Sequence, residues 1–354
     1  CNFKKNNLHL VAYSIPVAKE IELQELQNHL FSIPDKPNAV PYVTSFYKKT
    51  WGFCIKDRDR KKLKKGIYKV YVKSRLTKGY LNYGELILKG KKRKEVFLST
   101  YLCHPSMANN ELSGPVVTTF IVKWLKSLRI REHTYRIIFI PETIGSISYL
   151  SKNLEHMKKN IIAGFNINCI GDERSYSFLP SRNGNTISDK IAKHVLKWTD
   201  ENFKSYSWQD RGSDERQYCA PNVDLPIASI MRSKFREYPE YHTSLDKLGT
   251  VVTVKGLLGG YKALCRAIEA IEKNKYPLTT TLCEPNLGKR NLFPTLSNVS
   301  AKHITNETKL LLNLLSWSDG NNSLLEIANK CAVPIWNLYK LIDTLEKEKL
   351  IKLK

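Results

Sequence analysis

From residue 96 onward the chain alternates short apolar runs with amphipathic segments. That rhythm restricts it to an α/β fold built on a largely parallel sheet. Runs at 96–102, 134–140, 161–170 and 226–231 predict strands, and the spacing of apolar residues predicts helices over 113–128, 145–158, 187–199 and 254–272. Ligands of open α/β sheets collect just past the carboxyl ends of strands. Three of these ends carry metal-ligating residue types. The first runs into Cys103-His104-Pro105, the second into Pro141-Glu142, and the last precedes a loop holding Tyr241-His242-Thr243.

A histidine at a strand end serves as a structural hydrogen bonder as readily as a ligand. Two histidines with a carboxylate form a donor set that zinc accepts. Glu142 reads as a metal ligand, as a general base toward water, or as an acid favoured at a helix N-terminus. Asp172, in Gly171-Asp172-Glu173-Arg174, reads as a ligand, an ion-pair partner of Arg174, or a helix cap. The run Arg211-Gly212-Ser213-Asp214-Glu215-Arg216 sets charged side chains beside small ones, which suits substrate or metal contact and equally a solvated turn.

At 354 residues the chain exceeds one ordinary core and predicts two or three domains. Residues 1–95 read as an N-terminal portion that includes a small, basic, β-rich domain. Leu8–Ala12, Tyr68–Val72 and Gly84–Leu88 are its strands, Glu20–Leu30 a helix, and Gly90–Lys94 an exposed turn. Residues 96–285 form the α/β core and 286–300, around Pro294, a linker. Residues 301–354 show helices at 304–316, 323–330 and 334–347 and then a strand, the pattern of a winged helix-turn-helix.

The net charge of +24 is uneven. Residues 48–95 hold 18 Lys/Arg against 4 Asp/Glu, whereas 301–354 hold 8 Lys against 6 Asp/Glu. The first figure suggests an anionic partner, or the lysine bias of a chain with 42 Lys and 15 Arg. The second leaves little charge for neutralising phosphates, so a protein partner is favoured over nucleic acid for the winged helix. No apolar run approaches the ~20 residues of a membrane span. The eight cysteines form no CxxC pair, which excludes a zinc ribbon and fits free thiols in a reducing cytoplasm. The chain begins at Cys1 rather than Met, and so reads as a fragment.

In order along the chain, the segments around His104 and Glu142, Asn166 to Gly171, Ser213-Asp214, and Tyr241-His242-Thr243 with Asp246 resemble the landmarks of the M28-type zinc aminopeptidases. Cys103 to Gly114 and Gly212 to Leu245 resemble more closely the aminopeptidase-like proteins of the DUF4910/DUF2172 group. The resemblance implies a three-layer aminopeptidase-like sandwich with an inserted β-rich domain and a following winged helix. It also implies hydrolysis of a peptide or of an amide-bearing small substrate.

Two carboxylates of an M28-type two-zinc site fall here at Asn110 and Asn168, and the paired acids reduce to Glu142-Thr143. The resemblance therefore implies one zinc ion rather than two. His104, His242 and one carboxylate among Asp214, Asp172 and Glu142 would hold it, with Glu142 as catalytic base or ligand. Asn110, Glu215, Arg216 and Tyr241 would contact substrate.

Overall fold

The computed structural model describes residues 1–46, 48–292 and 306–354. The chain falls into two compact units, Cys1–Asp189 with Asn202–Lys262, and Lys190–Glu201 with Ala263–Lys354.

The first unit is organised by a seven-stranded sheet. Its order is Lys204–Ser205, Ser177–Leu179, Ile227–Met231, Ile161–Asn166, Lys92–Tyr101, His133–Ile140, Gly84–Leu88. The central strands run parallel; the edge strand Gly84–Leu88 is antiparallel to His133–Ile140, and at the other side Ser177–Leu179 is antiparallel to Ile227–Met231 and parallel to Lys204–Ser205. Seven consecutive residues of the middle strand, Glu95 to Tyr101, are buried. An unbroken buried run is what a strand covered on both faces requires. Helices Ser113–Ser127 and Ile144–Asn160 follow the strands that end at Tyr101 and Ile140. Gly114 lets the first of them start hard against the sheet. A Cβ there would lie 2.4 Å from the Ile167 carbonyl oxygen and 2.6 Å from Thr100 Oγ1.

The N-terminal expectations need correction. Leu8–Ala12 is not a strand: Asn7–His9 forms a 3₁₀ turn, capped by the Asn6 side chain, and only isolated bridges follow at Leu10 and Ala12. The helix expected over Glu20–Leu30 is a strand, Val17–Glu22, paired antiparallel to Ile67–Val72, then single helical turns at Leu23–Leu26 and Gln27–His29. Ile21, Leu26 and Leu30 reach one core with Trp51, Ile55 and Val70, so their spacing matches a helix while strand and turns deliver them. The Gly84–Leu88 strand belongs to the main sheet, and the expected 90–94 turn already enters the Lys92–Tyr101 strand. The cations of Lys61, Lys62, Lys64 and Lys65 are exposed after the single turn Asp57–Arg60.

In the second unit, Asn306–Ser316, Leu324–Lys330 and Trp336–Lys347 are helices, and Ile351–Leu353 pairs antiparallel with Pro277–Thr279. Residues 293–300 of the expected linker, and the expected start of the winged helix and its first helix at 301–305, lie outside the described residues. Ser323 and Glu326 form a reciprocal capping box at the second helix. The entry turn of the third helix is held within its own unit. The Ile335 N–H donates to His194 Nε2 at 2.9 Å, and His194 Nδ1 donates to Asn329 Oδ1 at 2.7 Å. Arg266 lies over the Trp336 ring, 4.5 Å from its centroid.

This arrangement needs a neutral His194. Burial pushes the imidazole below its usual range, the Asn329 bond opposes that, and Lys197 adds to it. The contact is therefore intact above the ordinary histidine range and is lost as pH falls through the lowered value. His194→Gln keeps one donor and one acceptor but does not titrate. As pH falls from 7 toward 4, the wild type is expected to lose about 1 kcal/mol more protection at the Ile335 amide than the variant. Hydrogen exchange of both proteins measures this, and parallel losses would refute it.

Candidate metal centre

The middle strand delivers the first site residues. Pairing continues one residue past its end, where the Leu102 N–H donates to the Ile140 carbonyl at 2.9 Å. Cys103 and His104 then leave the carboxyl edge of the sheet. The chain reverses at Ser106, which has φ 59°, and Ala108–Leu112 forms one π-helical turn before the helix begins. Such turns are rare and concentrate at functional sites. Asp246 holds this one in place. Its Oδ1 accepts the Asn109 N–H at 2.7 Å, its Oδ2 accepts the Asn110 N–H at 3.0 Å, and its carbonyl accepts the Ala108 N–H at 3.1 Å.

The wide turn brings Glu111 round to face the strand end. Its carboxylate is 2.5 Å from His104 Nδ1 and accepts the Cys103 N–H at 2.8 Å. It also accepts the Asn110 side-chain amide. Asn110 therefore supports Glu111 and does not stand as a free substrate contact. Glu111 is not marked in the sequence, where the expected acid falls at Asn110, one residue earlier. A π turn carries one residue more than an α turn, and no apolar period announces it.

His242 arrives from the opposite side on strained backbone, with φ 54°. An N-terminal segment clamps its loop. The Tyr42 N–H donates to the His242 carbonyl at 2.9 Å, and Val40 and Ser244 exchange two hydrogen bonds. Three aromatic contacts fix the two imidazoles. Tyr241 stacks on His242 at 3.9 Å, while Tyr42 stands edge-on to His104 at 4.6 Å and to His242 at 5.4 Å. The imidazole centroids are 4.8 Å apart. Tyr241 was expected as a substrate contact and is found packed on a candidate ligand; Tyr42 lies in the N-terminal portion, where no motif marked it.

The charge states of the two rings are set apart. Burial pulls the His104 pKa down, yet Cys103 and Glu111 prevail and hold it at about 10. Burial, His104 and Arg236 push His242 to about 3. The two shifts oppose each other: the carboxylate favours the charged form of His104, and that neighbour with burial favours the neutral form of His242.

Glu142 follows the His133–Ile140 strand. The next residue, Thr143, takes φ 63° and ψ −68°, a conformation that costs about 1–3 kcal/mol and needs support from outside. Ser213-Asp214 supplies the support. Ser213 Oγ donates to Glu142 Oε1 at 2.8 Å, and Asp214 Oδ1 accepts the Thr143 N–H at 2.7 Å and the Ser146 hydroxyl at 2.8 Å. Burial raises the Glu142 carboxyl above its ordinary range, and the Ser213 bond only partly offsets this. Burial likewise lifts Asp214 to about 7.

Of the residues singled out in the sequence, His104, Glu142 and His242 come together. Asp214 braces the Glu142 turn. Glu215 spends its carboxylate on the N–H groups of Gly212 and Ser213 and on the Asn166 amide. Arg216 is exposed and bonds the Thr143 hydroxyl and the Ser213 carbonyl. Asp172 is fully engaged by the Ser233 N–H and hydroxyl, the Arg174 N–H and the Asn109 amide. No oxygen of Asp172 is left for a metal, and the Arg174 guanidinium pairs with Glu240 at 2.9 Å instead. Asn168 is buried with neither amide atom hydrogen-bonded.

Cys103 Sγ, a ring nitrogen of His104 and a carboxylate oxygen of Glu142 lie within 4.8 Å of one another. Two further observations fit a metal ion. His242 Nε2 is buried with no hydrogen-bond partner. His104 Nδ1 is engaged by a carboxylate, the arrangement that orients a metal-ligating imidazole and frees its Nε2. Sulfur, nitrogen and oxygen donors together suit zinc.

The family called a domain of unknown function, DUF4910, matches residues 6–274, and a winged helix-turn-helix family matches 274–353. A Clostridium acetobutylicum protein is 38% identical over 99% of this chain and 80% of its own length; its name describes polysaccharide biosynthesis and an aminopeptidase-like domain. A crystal structure from the same organism, described as that of a peptidase, superposes with a TM-score of 0.92 at 37% identity, covering 100% of this chain and 80% of that one. A Bacillus subtilis zinc aminopeptidase superposes with a TM-score of 0.51 at 16% identity, over 68% of this chain and 63% of its own, which shows a shared fold. The fold is thus an aminopeptidase-like α/β sandwich followed by a winged helix. The chain belongs to the DUF4910 family.

Proposed function

We propose that the chain is a metal-dependent hydrolase of the aminopeptidase type that cleaves a peptide or amide bond with a single zinc ion. The observation that carries this reading is the grouping, past the strand ends, of the Cys103, His104 and Glu142 donors, with the unpartnered Nε2 of His242 on a ring 4.8 Å from that of His104. His104 and His242 would hold the ion. When bound, it supplies Lewis acidity toward a carbonyl oxygen and toward water.

The chain's own residues do the rest. Glu142, with Oε1 bonded to Ser213, takes the proton from the attacking water at Oε2 and returns it to the departing amine. Its raised pKa moves it toward neutrality, where a base that must also act as an acid works best. Glu111 holds the His104 ring, and Tyr42 and Tyr241 wall the imidazoles from water. The relative's name supports a saccharide-borne amide as the substrate beside a peptide. The location we propose is the cytoplasm, where cysteines are kept as thiols; the eight here form no disulfide. No described helix is long and apolar enough to cross a membrane.

Protein purified without chelator is expected to carry about one zinc per chain and to hydrolyse members of a panel of peptide amides and N-acyl sugars. Chelation should abolish turnover and stoichiometric zinc restore it. Metal-free protein that binds such compounds without turnover would support a second reading, a binding protein on the same scaffold. The amides at Asn110 and Asn168 favour that reading.

For the winged helix we propose a structural or protein-contacting role. DNA readers of this class insert the N-terminal residues of the third helix into the major groove. Here Ile335 and Trp336 are packed against His194 and Arg266 of the same unit. The exposed residues Asn337, Lys340, Asp343, Glu346 and Lys347 balance acid and base.

A further inference from the structure

We infer that Cys103 is a ligand of this metal and supplies the negative charge that Asn110 and Asn168 withhold. The inference rests on the metal-centre reading above and extends it to a residue to which the sequence pattern assigned no role. Cys103 Sγ lies within 4.8 Å of the donors of His104 and Glu142. It is exposed, so an ion bound through it keeps a side open to substrate. Its backbone is fixed at the same time, because its N–H is held by Glu111 at 2.8 Å. Six other cysteines lie outside the cluster at residues 1, 54, 219, 265, 283 and 331; Cys169, near it, is fully buried.

Charge calls for this ligand. Two neutral imidazoles leave a divalent ion uncompensated, and the Asn110 amide donates to Glu111 rather than offering a charge. If Glu142 filled the gap as a ligand, it would be lost as a base. A thiolate from Cys103 joins His104 as a ligand within the gathered donors, and His242, whose ring centroid lies 4.8 Å from that of His104 but whose donor falls outside the Cys103–His104–Glu142 group, would close on the ion as the third, leaving a fourth position open. Glu142 then stays free for proton transfer. A thiolate also biases the site toward soft ions over magnesium or calcium.

The test uses the full chain loaded with cobalt(II) in place of zinc. A thiolate ligand gives a sulfur-to-cobalt charge-transfer band in the near ultraviolet, separate from the visible ligand-field bands. The wild type and the control variants Cys1→Ser and Cys283→Ser should show both. Cys103→Ser should keep the visible bands and lose the near-ultraviolet band, with cadmium affinity falling about 100-fold, or roughly 2.7 kcal/mol. Circular dichroism of Cys103→Ser should match the wild type. Stoichiometric cobalt with visible bands but no charge-transfer band in the wild type would overturn the role of Cys103 and leave the metal centre standing. Failure of the wild type to bind cobalt or zinc would overturn both.

Discussion

Glu142→Gln is expected to lower turnover of an amide substrate by about 10²–10⁴-fold while the bound metal stays near one equivalent. The substitution keeps the shape of the side chain and an oxygen for the Ser213 hydroxyl, whose bond to Oε1 is 2.8 Å. It removes the one property the mechanism uses, the capacity to take and release a proton. The Thr143 backbone should not relax, because Asp214 holds its N–H independently. Metal content and turnover together separate the two roles that the sequence left open. A base leaves metal binding intact and removes the rate; a ligand loses both in parallel. Turnover within about threefold of wild type would exclude either role.

The site was legible where it obeyed strand and helix periods. Strands that end at Tyr101 and Ile140 are apolar runs of ordinary length, and their ends present His104 and Glu142 as the sheet rule requires. His242 could be singled out only through its loop and its neighbours, since no period covers positive-φ backbone. Glu111 was illegible because an irregular turn decides which side chain faces His104. Tyr42 was illegible because a 200-residue separation hides its contact with His242. Cys103 was illegible because cysteine spacing reports only cysteine partners, and its neighbours are His104 and Glu142. The N-terminal helix failed for a related reason: Ile21, Leu26 and Leu30 share a core through tertiary packing, which overrides local spacing.

The largest expected loss of stability comes from Asp246→Ala. Asp246 is 1% exposed, and its carboxylate ties the loop after His242 to the turn after His104. It accepts two buried N–H groups, at 2.7 and 3.0 Å, and the Tyr238 hydroxyl at 3.1 Å. Alanine leaves all three donors without their acceptor at a position only 1% exposed. Each such group costs about 1–3 kcal/mol, so a loss of at least about 3 kcal/mol is expected, and a fall in melting temperature of roughly 10 °C. Asp246→Asn should lie between, because its amide offers one acceptor oxygen and sets a donor against the second N–H. The π turn, once released, no longer aims Glu111 at His104, so zinc affinity should fall 10–100-fold, as it does when an outer partner of a metal-bound histidine is lost. Denaturant unfolding and zinc titration of the three proteins measure the two effects. An Asp246→Ala protein that unfolds at the wild-type midpoint and binds zinc equally well would show that the turn is held by the surrounding core, and that the two histidine loops are coupled by packing alone.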